Sequence, residues 1–272
     1  MFKLGFSTIG CPDYGIDQVI ALARANRYSG IEIRHLRGTV DLPSLAEFSS
    51  PAGLSDTRRR FDDAGIEVVG INTGVRMNSL DVATREKNMT AARNNLAIAE
   101  ALGARYLRLF GGPIPPEQDR EKTLDAIAAG LGRIADMTMP SGVQSLIETH
   151  DDFCKAPSVL DLYKRGASKN LGVLWDTLHS YRHGETGAQS WSKLGDRIRL
   201  VHVKDAYKAT PTAFDFALTG EGSVPIMSFV DVLRRNNYNG YVNFEWEKGW
   251  HREIAEPEVA IPHFAKFMAA RL

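Results

Sequence analysis

The sequence predicts an α/β protein, a closed (β/α)₈ barrel that forms a single domain over residues 1–272. The first observation is a repeated unit in which a helical stretch leads to a glycine and then to four to six largely β-branched residues. That order is typical of a helix followed by a buried parallel strand. The second observation is spacing, since Gly30, Gly65 and Gly103 are 35 and 38 residues apart, the length of one βα unit. The third is the total of eight such strands, for which about 250 residues is typical.

The eight predicted strands lie in "KLGFST", "GIEIRH", "GIEVVGIN", "ARYLRLF", "VQSLIETH", "GVLWD", "IRLVHVKD" and "YVNFEWE". Five glycines precede strands and are predicted to end helices in the left-handed conformation: Gly30, Gly65, Gly103, Gly142 and Gly240. An open doubly wound sheet is the competing fold. The first strand leads into "STIGCPDYG", which lacks the Gly-x-Gly-x-x-Gly pattern of a dinucleotide site, so the closed barrel is favoured.

Composition excludes several classes of function. Lys+Arg and Asp+Glu both number 33, so no overall field would hold a nucleic acid, and the densest basic run, Arg58–Arg60, falls in a helical segment as a solvated face. Cys11 and Cys154 are too few for a disulfide framework. No stretch approaches the ~20 apolar residues of a membrane helix, and no signal peptide is recognised. We therefore expect a cytoplasmic protein without a membrane or nucleic-acid partner.

Function in such a barrel lies where the strands end. Four strands end on a polar residue that follows an apolar run, namely Glu148, Asp176, His202 and Glu245. Each alone would be interpreted as a loop residue, a salt-bridge partner or a core histidine. Together they are costly to bury unless they are paired or bind a cation. Three carboxylates and one imidazole suit Mn²⁺, Mg²⁺ or a similar divalent ion.

These segments resemble the sugar isomerase/epimerase superfamily, whose fold is the xylose isomerase-like TIM barrel and which includes ketose 3-epimerases and inosose dehydratases and isomerases. The likeness covers nearly the whole chain, through "LRLFGG", "LIETH", "LWDTLHSYRHGE", "VHVKD" and "VNFEWE" in the family's order. It implies that Glu148, Asp176, His202 and Glu245 bind one Mn²⁺, Mg²⁺, Co²⁺ or Zn²⁺ ion. It also implies that Glu148 and Glu245 act as acid and base, and that members commonly form homo-oligomers.

Substrate contacts are predicted around this centre. The resemblance gives His179 that role, and His150 shares a strand face with Glu148. Phe6, Trp175 and Trp246 are candidates for excluding water or packing on a sugar. For the two tryptophans, core packing is the favoured alternative. Lys204 and Asp205 are predicted either to contact the substrate or to form a structural ion pair.

The resulting hypothesis is a metal-dependent isomerase or epimerase of a small sugar, inosose or related polyhydroxylated carbonyl compound, acting through an enediolate. A dehydratase of the inosose or dehydroshikimate type is the alternative on the same scaffold. Thr149-His150 and Lys208 depart from the pattern of ketohexose 3-epimerases, which disfavours that branch. An apurinic endonuclease, which would draw on further histidines such as His35 and His183, and a sugar-binding barrel without activity remain less favoured.

Overall fold

The predicted barrel is confirmed by the computed structural model, which describes residues 2–271. Eight parallel strands close into a barrel in the order β1-β10-β7-β6-β5-β4-β3-β2. The barrel strands are β1 (Lys3–Ser7), β2 (Gly30–Ile33), β3 (Glu67–Arg76), β4 (Tyr106–Phe110), β5 (Gln144–Glu148), β6 (Gly172–Asp176), β7 (Ile198–Val203) and β10 (Tyr241–Phe244). Two short strands, β8 (Asp205–Tyr207) and β9 (Asp215–Ala217), form an antiparallel hairpin after β7.

Helices connect the barrel strands and surround the barrel. They are α1 (Ile16–Ala25), α2 (Pro51–Ala64), α3 (Val82–Leu102), α4 (Arg120–Thr138), α5 (Ala156–Lys164), α6 (Thr177–Arg182), α7 (Gly187–Leu194), α8 (Ile226–Arg235) and α9 (Pro257–Ala269). Arg58, Arg59 and Arg60 lie on α2 and pair with nearby aspartates, which agrees with a solvated face. Among residues 2–271, no helix combines the length and apolar character that crossing a membrane requires.

The predicted helix-ending glycines are partly right. Gly65, Gly103 and Gly142 have positive φ angles of 69°, 68° and 79°. The prediction is wrong for Gly30 and Gly240, because the left-handed residues there are Arg27 (φ 59°) and Asn237 (φ 54°). Gly30 is instead the first residue of β2, where a Cβ would overlap the Tyr241 ring and the Val69 side chain.

Two differences from the predicted strands concern the upper end of the barrel. The third strand was expected to end at Asn72, but β3 continues to Arg76 with an irregular register against β4. The β8–β9 hairpin was not expected, since each of its strands has only three residues.

The barrel interior is filled in layers of side chains. At the amino-terminal end it is closed by a small apolar cluster of Val69, Leu146, Leu174, Leu200 and Tyr241. The larger core lies between the barrel and the helices. Because side chains alternate along a strand, the residues two positions beyond the interior leucines also point inward. Those positions are polar, and they form the next layer.

Candidate metal centre

The next interior layer brings four polar side chains together. Glu148, Asp176 and His202 each lie two residues beyond an interior leucine, on the adjacent strands β5, β6 and β7. Glu245 directly follows β10, the next strand round the barrel. One ligand atom from each of the four lies within 4.8 Å of the others, and all four residues are buried.

This arrangement fits a divalent cation. His202 Nδ1 is 3.2 Å from Glu245 Oε1 and 3.6 Å from Glu148 Oε1. Within residues 2–271, the buried atom His202 Nδ1 makes no hydrogen bond. Unsatisfied buried atoms are costly, and a bound ion would satisfy them. Three carboxylates and one imidazole are a donor set for Mn²⁺, Mg²⁺, Co²⁺ or Zn²⁺.

The other side of the His202 ring is held by a second buried carboxylate. His202 Nε2 is 2.7 Å from Glu32 Oε2, and Asn243 Nδ2 donates to the same oxygen at 2.6 Å. Burial lowers the pKa of His202, but Glu245 and Glu32 outweigh it and hold this pKa well above its usual value. If a bound cation displaces the Nδ1 proton, the Nε2–H still donates to Glu32 and the Nδ1 lone pair is directed at the cluster. Ligand histidines are commonly oriented by such a carboxylate on the second ring nitrogen.

Lys204 is the main cation beside the cluster. It is fully buried, its Nζ is 2.9 Å from Asp176 Oδ2 and 2.6 Å from Glu247 Oε1, and it also donates to Glu245. The structure therefore places Lys204 in an ion-pair network, the structural alternative of its two predicted roles. Arg108 has the equivalent position beside Glu148, with Nε 3.2 Å from Oε2.

The charges within the cluster are strongly coupled. Burial raises the pKa of Asp176 to about 6, with Lys204 opposing that rise and the carboxylates of Glu245 and Glu148 adding to it. Burial also raises the pKa of Glu245, but His202 and Lys204 outweigh it and hold this pKa well below its usual value. The site thus keeps carboxylates ionised in a low-dielectric interior, which a bound cation would stabilise further.

A cavity of about 280 Å³ opens directly above the cluster. Its lining includes Glu148 and Glu245, so both predicted acid–base residues face it. His150 also lines it, with its ring 4.8 Å from Phe110 and 4.4 Å from the ring of His179. His179 is buried, and burial and the Lys204 charge hold its pKa well below the usual value, so its ring is neutral.

Three residues predicted to contact the substrate lie away from the cavity. Phe6 and Trp175 occupy strand positions whose side chains point outward, and the Asp205 side chain binds a loop. Phe6 is fully buried on the helix side of β1, with its ring 5.0 Å from that of Tyr28. Trp175 packs outward against Phe229 of α8 and donates to Ser180. Asp205 accepts hydrogen bonds from backbone N–H groups of the loop after β9. Trp246 likewise packs in the core, stacked on Phe244.

Asp205 organises the loop that follows β9. Its carboxylate accepts hydrogen bonds from the backbone N–H groups of Ala206, Gly220, Gly222 and Val224, at 2.8 to 3.1 Å. Within residues 2–271 it forms no salt bridge with Lys204 and is not among the residues that line the cavity, so the predicted ion pair is wrong and the structure argues against the substrate contact. His35 and His183, which an endonuclease would use, are also outside the cluster of four.

Several residues of the site were not predicted. Arg34, Arg76 and Arg108 line the cavity, and Glu32 and Asn243 support His202. A signal was present for Arg108, Glu32 and Asn243, because each is a polar residue within an otherwise apolar barrel strand. Arg76 carried no such signal, since the sequence placed it in a loop.

Comparison with known proteins agrees with this architecture. The xylose isomerase-like TIM barrel family matches residues 20–270. An Escherichia coli (strain K12) protein, named provisionally as an L-ribulose-5-phosphate 3-epimerase, is 25% identical over 199 residues, 71% of this chain and 68% of that protein. An inosose dehydratase of Clostridium botulinum (strain Alaska E43 / Type E3) is 24% identical over 165 residues, 52% of this chain and 51% of that protein.

A solved structure has the same barrel fold. The IOLI protein, crystallised with a bound zinc atom, has a TM-score of 0.83 at 18% identity, covering 99% of this chain and 97% of that one. At this identity the likeness concerns the fold alone. With the closed barrel and the family match over residues 20–270, the chain belongs to the xylose isomerase-like TIM barrel family.

Proposed function

We propose that this protein is a divalent-metal-dependent isomerase or epimerase of a small polyhydroxylated carbonyl compound, a sugar or an inosose. One observation carries the proposal: ligand atoms of Glu148, Asp176, His202 and Glu245 converge within 4.8 Å of one another below a small cavity. The cavity of about 280 Å³ suits a small molecule, since typical ligand pockets span roughly 300–1,000 Å³. The relatives named as an epimerase and a dehydratase support enzymatic activity on such compounds.

A divalent ion held by these four residues would polarise a substrate carbonyl and its adjacent hydroxyl, which acidifies the neighbouring C–H bond. Either Glu148 or Glu245 then removes the proton as general base, giving an enediolate of the substrate. The other glutamate, once it has taken a proton from solvent, delivers that proton to the opposite face or to the neighbouring carbon, and the first glutamate then releases its own proton to solvent. Return to the opposite face gives epimerisation, and return to the neighbouring carbon gives isomerisation.

Either glutamate is suited to act as the base because each has its own cation. Arg108 contacts Glu148 and Lys204 contacts Glu245, and both cations favour the ionised carboxylate. Burial and the charge of Glu245 raise the pKa of Glu148, and Arg108 and His202 outweigh them to bring it below its usual value. His150 and the half-exposed Trp250 complete the walls that would orient a sugar.

The direct test is a panel of ketoses, aldoses and inososes, assayed with Mn²⁺, Mg²⁺, Co²⁺ and Zn²⁺ in D₂O. We expect metal-dependent conversion to a product in which a carbon-bound hydrogen has been replaced by solvent deuterium. An absence of turnover with every metal, or turnover unaffected by metal removal, contradicts the proposal.

A dehydratase is the second candidate, supported by the similarity to an inosose dehydratase. The same enediolate loses hydroxide if a hydroxyl is attached to the carbon next to it. Mass spectrometry separates the two reactions, because dehydration gives a product lighter by one water and isomerisation leaves the mass of the unlabelled compound unchanged.

A further inference from the structure

The mouth of the barrel is divided into an acidic and a basic half. The acidic half holds the four candidate ligands, on β5, β6, β7 and after β10. The basic half holds three arginines on the neighbouring strands: Arg34 directly after β2, Arg76 at the end of β3, and Arg108 within β4. All three arginines line the same cavity as Glu148 and Glu245.

Two of these arginines, Arg34 and Arg76, have no acidic partner in the part of the chain that the structure describes. Arg108 pairs with Glu148, but within residues 2–271 no carboxylate oxygen lies within 4.0 Å of the guanidinium of Arg34 or Arg76. By contrast, Arg165 on the outer surface pairs with three carboxylates. Arg34 is partly buried and lies 5.6 Å from the ring centroid of Trp250, at the wall of the cavity.

Holding these positive charges together is unfavourable in the free protein. Burial and the charge of Arg108 lower the pKa of Arg34 to about 9, although glutamates of the acidic half oppose this, and Arg76 lowers it further. A guanidinium stays protonated in proteins, so the lowered pKa means that the positive charge of Arg34 is unfavourable in free energy at this position. An anion bound between Arg34 and Arg76 would remove that cost.

We propose that the natural substrate carries an oxyanion, a phosphate ester or a carboxylate, which Arg34 and Arg76 bind while its polyhydroxylated end faces Glu148 and Glu245. The placement of the polyhydroxylated end at Glu148 and Glu245 rests on the proposed function. Guanidinium groups bind phosphate and carboxylate through paired N–H donors, which fixes orientation as well as charge. The two halves of the cavity would therefore orient the substrate from both ends.

The test measures binding without turnover. The protein is stripped of metal with a chelator that is then removed by dialysis, so that catalysis does not contribute. Isothermal titration and intrinsic tryptophan fluorescence, to which Trp250 at the cavity wall contributes, follow the binding of matched pairs. The pairs are D-ribulose 5-phosphate against D-ribulose and D-glycerate against glycerol, with inorganic phosphate as the minimal probe. The variants are Arg34→Gln, Arg76→Gln and the double variant, with Arg34→Lys and Arg76→Lys to retain the charge.

The matched control is Arg235→Gln, an exposed arginine at the end of α8. We expect at least one charged probe to bind about tenfold or more tightly than its neutral partner. The double glutamine variant should lose that advantage, the lysine variants should keep part of it, and the control should keep all of it. A preference for D-ribulose 5-phosphate identifies a phosphate ester, and one for D-glycerate a carboxylate.

Equal binding of charged and neutral probes, or a preference that survives the double glutamine variant, would overturn the inference. Circular dichroism and thermal melting establish that the variants remain folded. Because the measurement needs neither metal nor turnover, failure here leaves the proposed reaction intact. Conversely, an inactive protein that still binds these anions through Arg34 and Arg76 would contradict only the proposed reaction.

Discussion

His202 Nε2 lies 2.7 Å from Glu32 Oε2 in the centre of the barrel, although the two residues are 170 positions apart in the chain. Both are fully buried, and Asn243 holds the same carboxylate oxygen from β10. This contact fixes which ring nitrogen of His202 faces Glu148 and Glu245. Glu32 is therefore a positioning residue for the candidate metal centre.

Glu32→Gln should weaken divalent-metal binding by about 10- to 100-fold, the usual effect of removing a carboxylate that orients a ligand histidine. The amide has nearly the same shape, but it is uncharged and polarises the imidazole less. Metal affinity is measured by competition with a chromophoric chelator. Glu67→Gln is the control, because Glu67 pairs with Arg105 and Lys3 at the other end of the barrel. Equal metal affinity in the wild type and Glu32→Gln would remove this role from Glu32.

Lys204→Met should destabilise the metal-free protein by about 3–5 kcal/mol, because three buried or partly buried carboxylates lose their shared ammonium group. A divalent ion should restore more stability to this variant than to the wild type. Chemical denaturation with and without Mn²⁺ measures both effects. Lys3→Met is the control, since its pair with Glu67 is exposed and of the kind that contributes about 0–1 kcal/mol. A stability loss no larger than that of the control would show that the network is not needed.

Metal addition should raise the melting temperature of the wild type, because an ion that binds only the folded protein stabilises it. At 100 times the dissociation constant this stabilisation is about 2.7 kcal/mol. Differential scanning calorimetry of chelator-treated protein, before and after adding each metal, measures the shift. His202→Asn should lose it, whereas His263→Asn, remote from the cluster on α9, should retain it. An equal rise in melting temperature in both variants would show that the metal binds at a site that does not include His202.

Glu245→Gln should reduce kcat by about 10²- to 10⁴-fold with the fold intact, the usual contribution of a general acid or base. The assay is deuterium exchange into whichever substrate the panel identifies. Glu253→Gln serves as the control, because Glu253 lies on the exposed surface, where its carboxylate pairs with His251. Unchanged turnover in Glu245→Gln would exclude this residue from the mechanism.

Asp205→Ala should destabilise the protein by a few kcal/mol, about 1–3 kcal/mol for each backbone N–H group left both buried and unpaired. The loop of residues 208–224 should then become more sensitive to limited proteolysis. Asp215→Ala, at the exposed first position of β9, is the control. A variant that keeps full stability but loses substrate affinity would restore the substrate contact that the structure argues against.

The sequence predicted the barrel well because its signals are local. Gly65, Gly103 and Gly142 end helices, and an apolar run follows each, so that element type and order can be read along the chain. Gly30 and Gly240, which were wrongly predicted to end helices, show the limit of that reasoning. Gly30 is required by the approach of Tyr241 and Val69, which come from other strands and leave no trace near position 30.

Candidate ligands could also be predicted, because a charged residue after an apolar run is a local signal at the end of a strand. It is harder to predict whether a strand side chain points into or out of the barrel, since the direction alternates from one residue to the next. Glu148 and Asp176 point inward, whereas Trp175, one residue earlier, packs against Phe229 outside the barrel. Phe6 and Trp175, which were predicted as substrate contacts, pack away from the cavity for this reason.

Sequence alone thus determined the eight-fold alternation of strand and helix and the polar residues at the strand ends, since both depend on neighbours along the chain. Tertiary structure alone decided that Glu32 orients His202 and that Lys204 joins three carboxylates. It also decided that Arg34 and Arg76 face the cavity with no acidic partner among residues 2–271. Closing the barrel brings together side chains that are far apart in sequence. Their charges then interact in an interior that screens them weakly, which no local pattern records.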